Sequence, residues 1–133
     1  VCRDFAHLMI ALCRALNIPA RFVTGIDYGA DPALGPSDFH AYVEAFLGDR
    51  WYLFDPSATA IPMGLMRFGV GRDAADVSFA TIFGSVRAEP PKIVIEAAAD
   101  AFSGAELPRR RPDALSTDDG SAVLIGARLA PLA

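Results

Sequence analysis

The feature that most constrains this chain is a dipeptide, Gly48-Asp49, set between two runs rich in branched and aromatic residues, Asp38 to Leu47 and Arg50 to Asp55. A glycine in the leading position suits a two-residue hairpin turn, which needs a positive φ there. Such a turn sets the register. Leu47 faces Arg50, Phe46 faces Trp51 and Tyr42 faces Asp55, so His40 and Asp55 become diagonal neighbours on one face of the hairpin. A three-residue turn would send them to opposite faces. Both faces are largely apolar, with Phe39, Val43, Leu47, Tyr52 and Phe54 on one and Phe46, Trp51 and Leu53 on the other. That pattern predicts a sheet covered on both sides.

Upstream, Phe5, Leu8, Met9, Leu12 and Leu16 recur at helical spacing and predict an amphipathic helix from Cys2 to Leu16 with that stripe as its apolar face. Asp4 lies in the first turn, where it complements the helix dipole or pairs locally. Asn17 suits a C-terminal cap, and Pro19 ends the ladder. His7 falls on a different face from Cys2, which predicts a structural role for it. Ala20 to Tyr28 then reads as a strand. Residues 29–37, with two glycines and two prolines, read as a loop placed to face a substrate.

Beyond Pro56 the chain is irregular, broken by Pro62, Gly64, Gly69 and Gly71, with short apolar runs at Val77 to Phe83 and Ile93 to Ile95 that predict further strands. Residues 1–98 are expected to form the core and 99–133 a flexible polar tail, in which the apolar run from Ala122 to Ile125 is suited to docking. Residues 101–133 hold four basic and four acidic groups, so Arg109 to Arg111 read as part of a solvated linker rather than a basic patch.

At 133 residues the chain fits one domain. A net charge of −4 has the wrong sign for a surface that captures phosphate backbones, so nucleic acid is not an expected partner. Every long apolar run is interrupted by Arg, Asp or Pro, which predicts no membrane-spanning helix. Two cysteines are too few for a disulfide scaffold, and a reducing compartment, by default the cytoplasm, is the expected setting. The opening Val1-Cys2-Arg3, without an initiator Met, reads as the start of a fragment.

Cys2, in the first turn of the expected helix, sits where unpaired amides and the dipole stabilise a thiolate. Taken alone, a cysteine is more often a small buried hydrophobe, and Cys13 fits that description. Eleven residues along a helix separate the two thiols by roughly 16 Å, too far for a disulfide. The hairpin register gives His40 a partner. Asp55 can accept a hydrogen bond from one imidazole nitrogen and leave the other for a thiol. A zinc site built from Cys2, His40 and Asp55 is a competing reading.

Val1-Cys2-Arg3-Asp4, Asp38-Phe39-His40-Ala41-Tyr42-Val43-Glu44 and Trp51-Tyr52-Leu53-Phe54-Asp55-Pro56 together resemble, in order and spacing, the three signature blocks of the transglutaminase-like superfamily, in particular its bacterial cysteine peptidases. Gly71-Arg72-Asp73-Ala74-Ala75-Asp76-Val77 resembles a further block, so the likeness runs from Val1 to about Ser85. The resemblance implies a papain-like α+β fold, a nucleophile-bearing helix packed on an antiparallel sheet. It also implies Cys2 as nucleophile, His40 as general base and acid, and Asp55 as the orienting carboxylate, with the Cys2 backbone N–H supplying part of an oxyanion hole. No metal or organic cofactor is implied. The expected substrate is a protein or peptide, and the expected chemistry is acyl transfer at a carboxamide through a thioester, with hydrolysis favoured over transfer to an amine. A non-catalytic binding or scaffold module on the same fold is the reading from another class.

Overall fold

Among the described residues one α-helix, α1 (Cys2–Ala15), leads into a five-stranded antiparallel sheet: β1 (Ala20–Asp27), β2 (Phe39–Leu47), β3 (Arg50–Phe54), β4 (Leu65–Gly71) and β5 (Leu115–Ser116). The strands lie in the order β4-β1-β2-β3-β5. The structure, a computed structural model, describes residues 1–28, 33, 38–95 and 108–118. The expected loop at 29–37, apart from Ala33, and the expected docking run at 122–125 lie outside the described residues. The architecture is α+β, as the sequence predicts.

The β2–β3 hairpin has the two-residue turn. Leu47 pairs with Arg50, Phe46 with Trp51 and Val43 with Phe54, and Gly48 takes a φ of 67°. At the end of α1, Asn17 adopts a φ of 58°. The Ile18 amide donates to Cys13 O at 2.8 Å and the Asn17 amide to Arg14 O at 3.0 Å, the paired bonds of a Schellman cap. The helix therefore stops where Asn17 turns the chain, one residue before the proline could clash with it.

Each face of the sheet is covered. On one, Ala6 and Ile10 of α1 pack on Ala20, Phe22, Ala41 and Val43, with Cys2, Met9 and Cys13 at the margin. On the other, Val23, Tyr42 and Leu53 meet Ala60 and Leu65. The helix presents a different stripe from the expected one. Phe5, Leu8, Leu12 and Leu16 are exposed, whereas the small Ala6 and Cys2 let the helix approach the sheet closely enough for Ile10 to reach its floor. Buried small residues set the face, and the count of large apolar residues did not.

Two further expectations are corrected. Val77 to Phe83 and Ile93 to Ile95 form no strand; the strand is Leu65–Gly71, which pairs with β1 through a bulge between Thr24 and Gly25. The bulge pushes Phe68 out of the ladder. Gly25 is needed beside it, since a Cβ there would stand 2.4 Å from Met66 O. Within the expected tail, Leu115 and Ser116 pair with Leu53 and Tyr52, Thr117 donates its amide to Trp51 O at 2.9 Å, and Arg110 Nη2 donates to Ala58 O at 3.1 Å. Backbone groups left open on the edge of β3 draw these residues back to the sheet.

Glu44 lies fully buried on β2 between two arginines. Its Oε2 accepts from Arg21 Nε at 2.5 Å and its Oε1 from Arg67 Nη1 at 2.8 Å. Arg21 also lies over the Trp51 ring, 4.1 Å from its centroid. This chain of charge joins β1, β2, β3 and β4 across one face.

Candidate active site

The three residues singled out in the sequence come together. Cys2 opens α1, His40 stands at the start of β2, and Asp55 follows β3 by one residue. The hairpin brings His40 Nε2 to 3.0 Å from Asp55 Oδ1, and both side chains are nearly buried, at 10% and 2% exposure. With Nε2 donating to Asp55, Nδ1 is the nitrogen left for the Cys2 thiol, which the same ring engages. Tyr42 packs edge-on against the imidazole, ring centroids 4.6 Å apart, and limits its rotation.

Asp55 is held from all sides by its own loop. Its Oδ1 also accepts the Ser57 hydroxyl at 2.6 Å and the Ser57 amide at 3.0 Å, and its Oδ2 accepts the Ala60 amide at 2.7 Å. Burial alone would push this carboxyl up; the hydrogen bonds from His40, Ser57 and Ala60 outweigh it and hold the group down at about 2. Asp55 is therefore an anion at any physiological pH.

That anion acts on the imidazole. Burial opposes a charge on His40, but the bonds to Asp55 and Cys2 win, and its pKa rises to about 9. The Cys2 thiol moves the opposite way. The bond to His40 is the main cause; burial works against it, and the backbone at Ala41 and Arg3 adds to the lowering. Together these shifts favour a thiolate–imidazolium pair, with the thiolate at the positive end of a helix.

Comparison with known proteins finds relatives of this chain. Residues 1–56 match the sequence profile of the transglutaminase-like superfamily, and those residues carry Cys2, His40 and Asp55. The chain is similar to a crystal structure described as a "Putative Cysteine Protease" from Cytophaga hutchinsonii, with 53% sequence identity and a TM-score of 0.58, over 64% of this chain and 28% of that one. It is also 36% identical over 83 residues to the uncharacterized protein ML0607 of Mycobacterium leprae (strain TN), covering 59% of this chain and 29% of that protein. The chain thus spans less than a third of either relative.

The site opens on a cavity of about 280 Å³ whose walls include Cys2, His40, Phe22, Phe39, Val77 and Phe79. Residues 72–80 form its outer wall. They are tied to α1 by Arg14 Nη2, which donates to Arg72 O at 2.7 Å, and by the Ala74 amide, which donates to His7 Nε2 at 3.2 Å. His7 thus has the structural role its spacing predicts. Among the described residues no group of three His, Cys, Asp or Glu side chains converges on a point that would hold a metal ion, and no helix is long and apolar enough to cross a membrane.

Sequence reasoning missed the loop that grips Asp55. A signal for it was present, since an aspartate followed two residues later by serine is the pattern of an Asx turn. It also missed Asp27, buried at the end of β1 with Oδ2 accepting the Ile61 amide at 3.0 Å and Oδ1 without a hydrogen-bond partner among the described residues. Burial pushes its carboxyl up. An isolated aspartate closing a strand carries no pattern that separates it from an exposed one.

Proposed function

We propose that this protein is a thiol-dependent amide hydrolase in which Cys2, His40 and Asp55 act as a catalytic triad on a peptide or related carboxamide. The observation that carries the reading is one imidazole shared between a buried carboxylate, 3.0 Å from Nε2, and a thiol at a helix N-terminus whose pKa that imidazole lowers. In this mechanism the Cys2 thiolate attacks the amide carbonyl carbon. The developing oxyanion is met by the Cys2 backbone N–H in the first turn of α1. His40 gives its proton to the leaving amine, the C–N bond breaks, and the acyl group remains on Cys2 as a thioester. Asp55 keeps the ring oriented and stabilises the imidazolium throughout. Water, deprotonated by the now neutral His40, attacks the thioester and releases the acid and the thiolate. Hydrolysis is favoured over transfer to an amine because the cavity beside Cys2 is open to solvent, and amine transfer requires a site that excludes water.

The test is a screen of short blocked peptides and acyl amides, with products and acid-quenched enzyme read by mass spectrometry. A carboxylic acid product, a thioester adduct on Cys2 and loss of both in Cys2→Ala support hydrolysis. Incorporation of an added primary amine in place of water would assign the transferase outcome, and turnover that survives Cys2→Ala would overturn the triad.

A further inference from the structure

The cavity that begins at Cys2 and His40 has a chemical character of its own. Phe22 forms part of its wall, and Phe39, Val77, Phe79 and Ala80 add to the apolar surface. No carboxylate is among its described lining residues. Arg3, close to the mouth, is the one permanent cation, and the neutral polar groups are Thr24 and Ser78. The Ser78 hydroxyl is already committed, donating to Ala75 O at 3.2 Å. A cationic substrate side chain entering here would lose water with no anion among the described lining residues to meet it, and an anionic one would have only Arg3 besides an imidazolium already paired with Asp55 and Cys2. At about 280 Å³ the space is at the small end for ligand sites and suits one side chain beside the reacting amide.

The rim is aromatic. Phe79 lies 4.2 Å from Phe39, centroid to centroid, at 33°, and Phe68, pushed out of the ladder by the bulge, meets Phe39 edge-on at 6.2 Å. Phe68 and Phe79 nonetheless remain 58% and 54% exposed. Phe79 is thus held in the wall of the candidate active site with half its surface still in water, and Phe68 stands behind it against Phe39. The wall that carries Phe79 is fastened in advance. Arg14 and His7 tie it to the helix, Arg72 and Asp76 brace it at 2.9 Å, and the glycine at 69 lets Val77 close in, a Cβ there being 3.2 Å from Val77 Cγ1. A wall in place before binding lowers the ordering cost of capturing an apolar group.

We infer that this cavity is the side-chain pocket for the acyl donor, and that the protein acts on amides whose carbonyl-side residue is apolar, aromatic above all. The inference rests on the reading of Cys2 and His40 as the reacting pair. A ring entering the pocket covers the open face of Phe79 and extends the cluster it makes with Phe39. A glutamine-type acyl donor would fit less well, because its side-chain amide would find few free partners there.

The test uses N-acetyl amino-acid vinyl sulfones that differ only in side chain: Phe, Leu, Gln and Glu. Each reacts by addition. The Cys2 sulfur bonds to the β carbon, the double-bond electrons move to the α carbon, and that carbon takes the proton from His40. Labelling of Cys2 is followed by peptide mass spectrometry, with iodoacetamide, which has no side chain to place, as the control. The Phe and Leu probes are expected to label on the order of 10–100-fold faster than the Glu probe. Phe79→Ala, checked for native circular dichroism, should compress that ratio to roughly threefold, and Phe79→Leu should restore most of it. If the Gln or Glu probe labels as fast as the Phe probe while iodoacetamide still alkylates Cys2 rapidly near pH 6, the pocket assignment falls and the catalytic reading stands. If iodoacetamide alkylates Cys2 no faster than a free thiol, the reacting pair falls and the pocket assignment falls with it.

Discussion

His40 and Asp55 are fifteen positions apart in the chain, and His40 Nε2 lies 3.0 Å from Asp55 Oδ1 because a two-residue turn at Gly48-Asp49 puts both on one face of a hairpin. One inserted residue in that turn would flip Asp55 to the other face and leave the imidazole without its acceptor. The catalytic reading therefore depends on a turn some distance from the chemistry, through the register the turn imposes.

Asp55 does two jobs, and two variants separate them. Asp55→Asn keeps one acceptor oxygen, which can serve Ser57 but not also the Ala60 amide on the opposite oxygen, so it should cost about 1 kcal/mol of stability, and it removes the anion that favours imidazolium. The expected results are a His40 pKa well below about 9, read by NMR, and turnover lowered on the order of 10²–10⁴-fold. Asp55→Ala also strands the half-buried Ser57 amide and should cost a further ~1–3 kcal/mol in urea unfolding. An Asp55→Asn protein with unchanged turnover would remove Asp55 from the mechanism.

Much of this site could be read in the sequence because its determinants are local. Gly48-Asp49 specifies its own turn, Asn17 and Pro19 specify their own helix end, and strand alternation carries His40 and Asp55 to one face. The parts that escaped depend on tertiary contact. Which face of α1 is buried follows from how closely Ala6 approaches Phe22, and β4 forms across two glycines and a bulge because β1 offers it an open edge. Residues 115–116 become a strand only because β3 has unpaired groups facing them. Polar patterning reads such a segment as solvated, since it contains nothing that reports a distant edge.

The pH dependence of stability follows from proton counting. His40 has a folded pKa raised above the ordinary 6.5, so taken singly its stabilisation is present below 6.5 and lost as pH rises through about 9. Cys2 has a lowered folded pKa, so its contribution is present above the ordinary 9.0 and lost as pH falls through the folded value. Above the depressed Cys2 pKa, and between 6.5 and about 9, the folded pair holds one proton, on His40, and the unfolded pair also holds one, on Cys2. The two slopes cancel there. Asp55 is different. Its folded pKa of about 2 lies below the ordinary 3.8, so its stabilisation is present above 3.8 and lost as pH falls through 2. Urea midpoints should be nearly flat with respect to the pair around neutral pH and should fall on the acid side, with a shallower acid limb in Asp55→Asn. A steep slope through neutrality that vanishes in the Cys2→Ala, His40→Ala double variant would contradict the pairing.

Glu44 is the buried charge on which the sheet's polar face depends, contacted by Arg21 and Arg67. Glu44→Ala leaves both guanidiniums without their anion and should destabilise the fold by about 3 kcal/mol. Replacing all three by apolar residues of similar size should recover most of that loss, because the desolvation cost disappears with the charges. Equal destabilisation in the single and triple variants, measured by urea unfolding, would mean that Glu44 acts through packing alone.

The most direct test of the central claim is the rate of iodoacetamide alkylation at Cys2 against pH, in the parent protein and in His40→Ala. A thiolate held by imidazolium predicts fast labelling well below the range where a free thiol ionises, continuing down to the depressed Cys2 pKa, and a return to free-thiol behaviour in His40→Ala. A Cys2 that labels with the same free-thiol profile in both proteins would contradict the account.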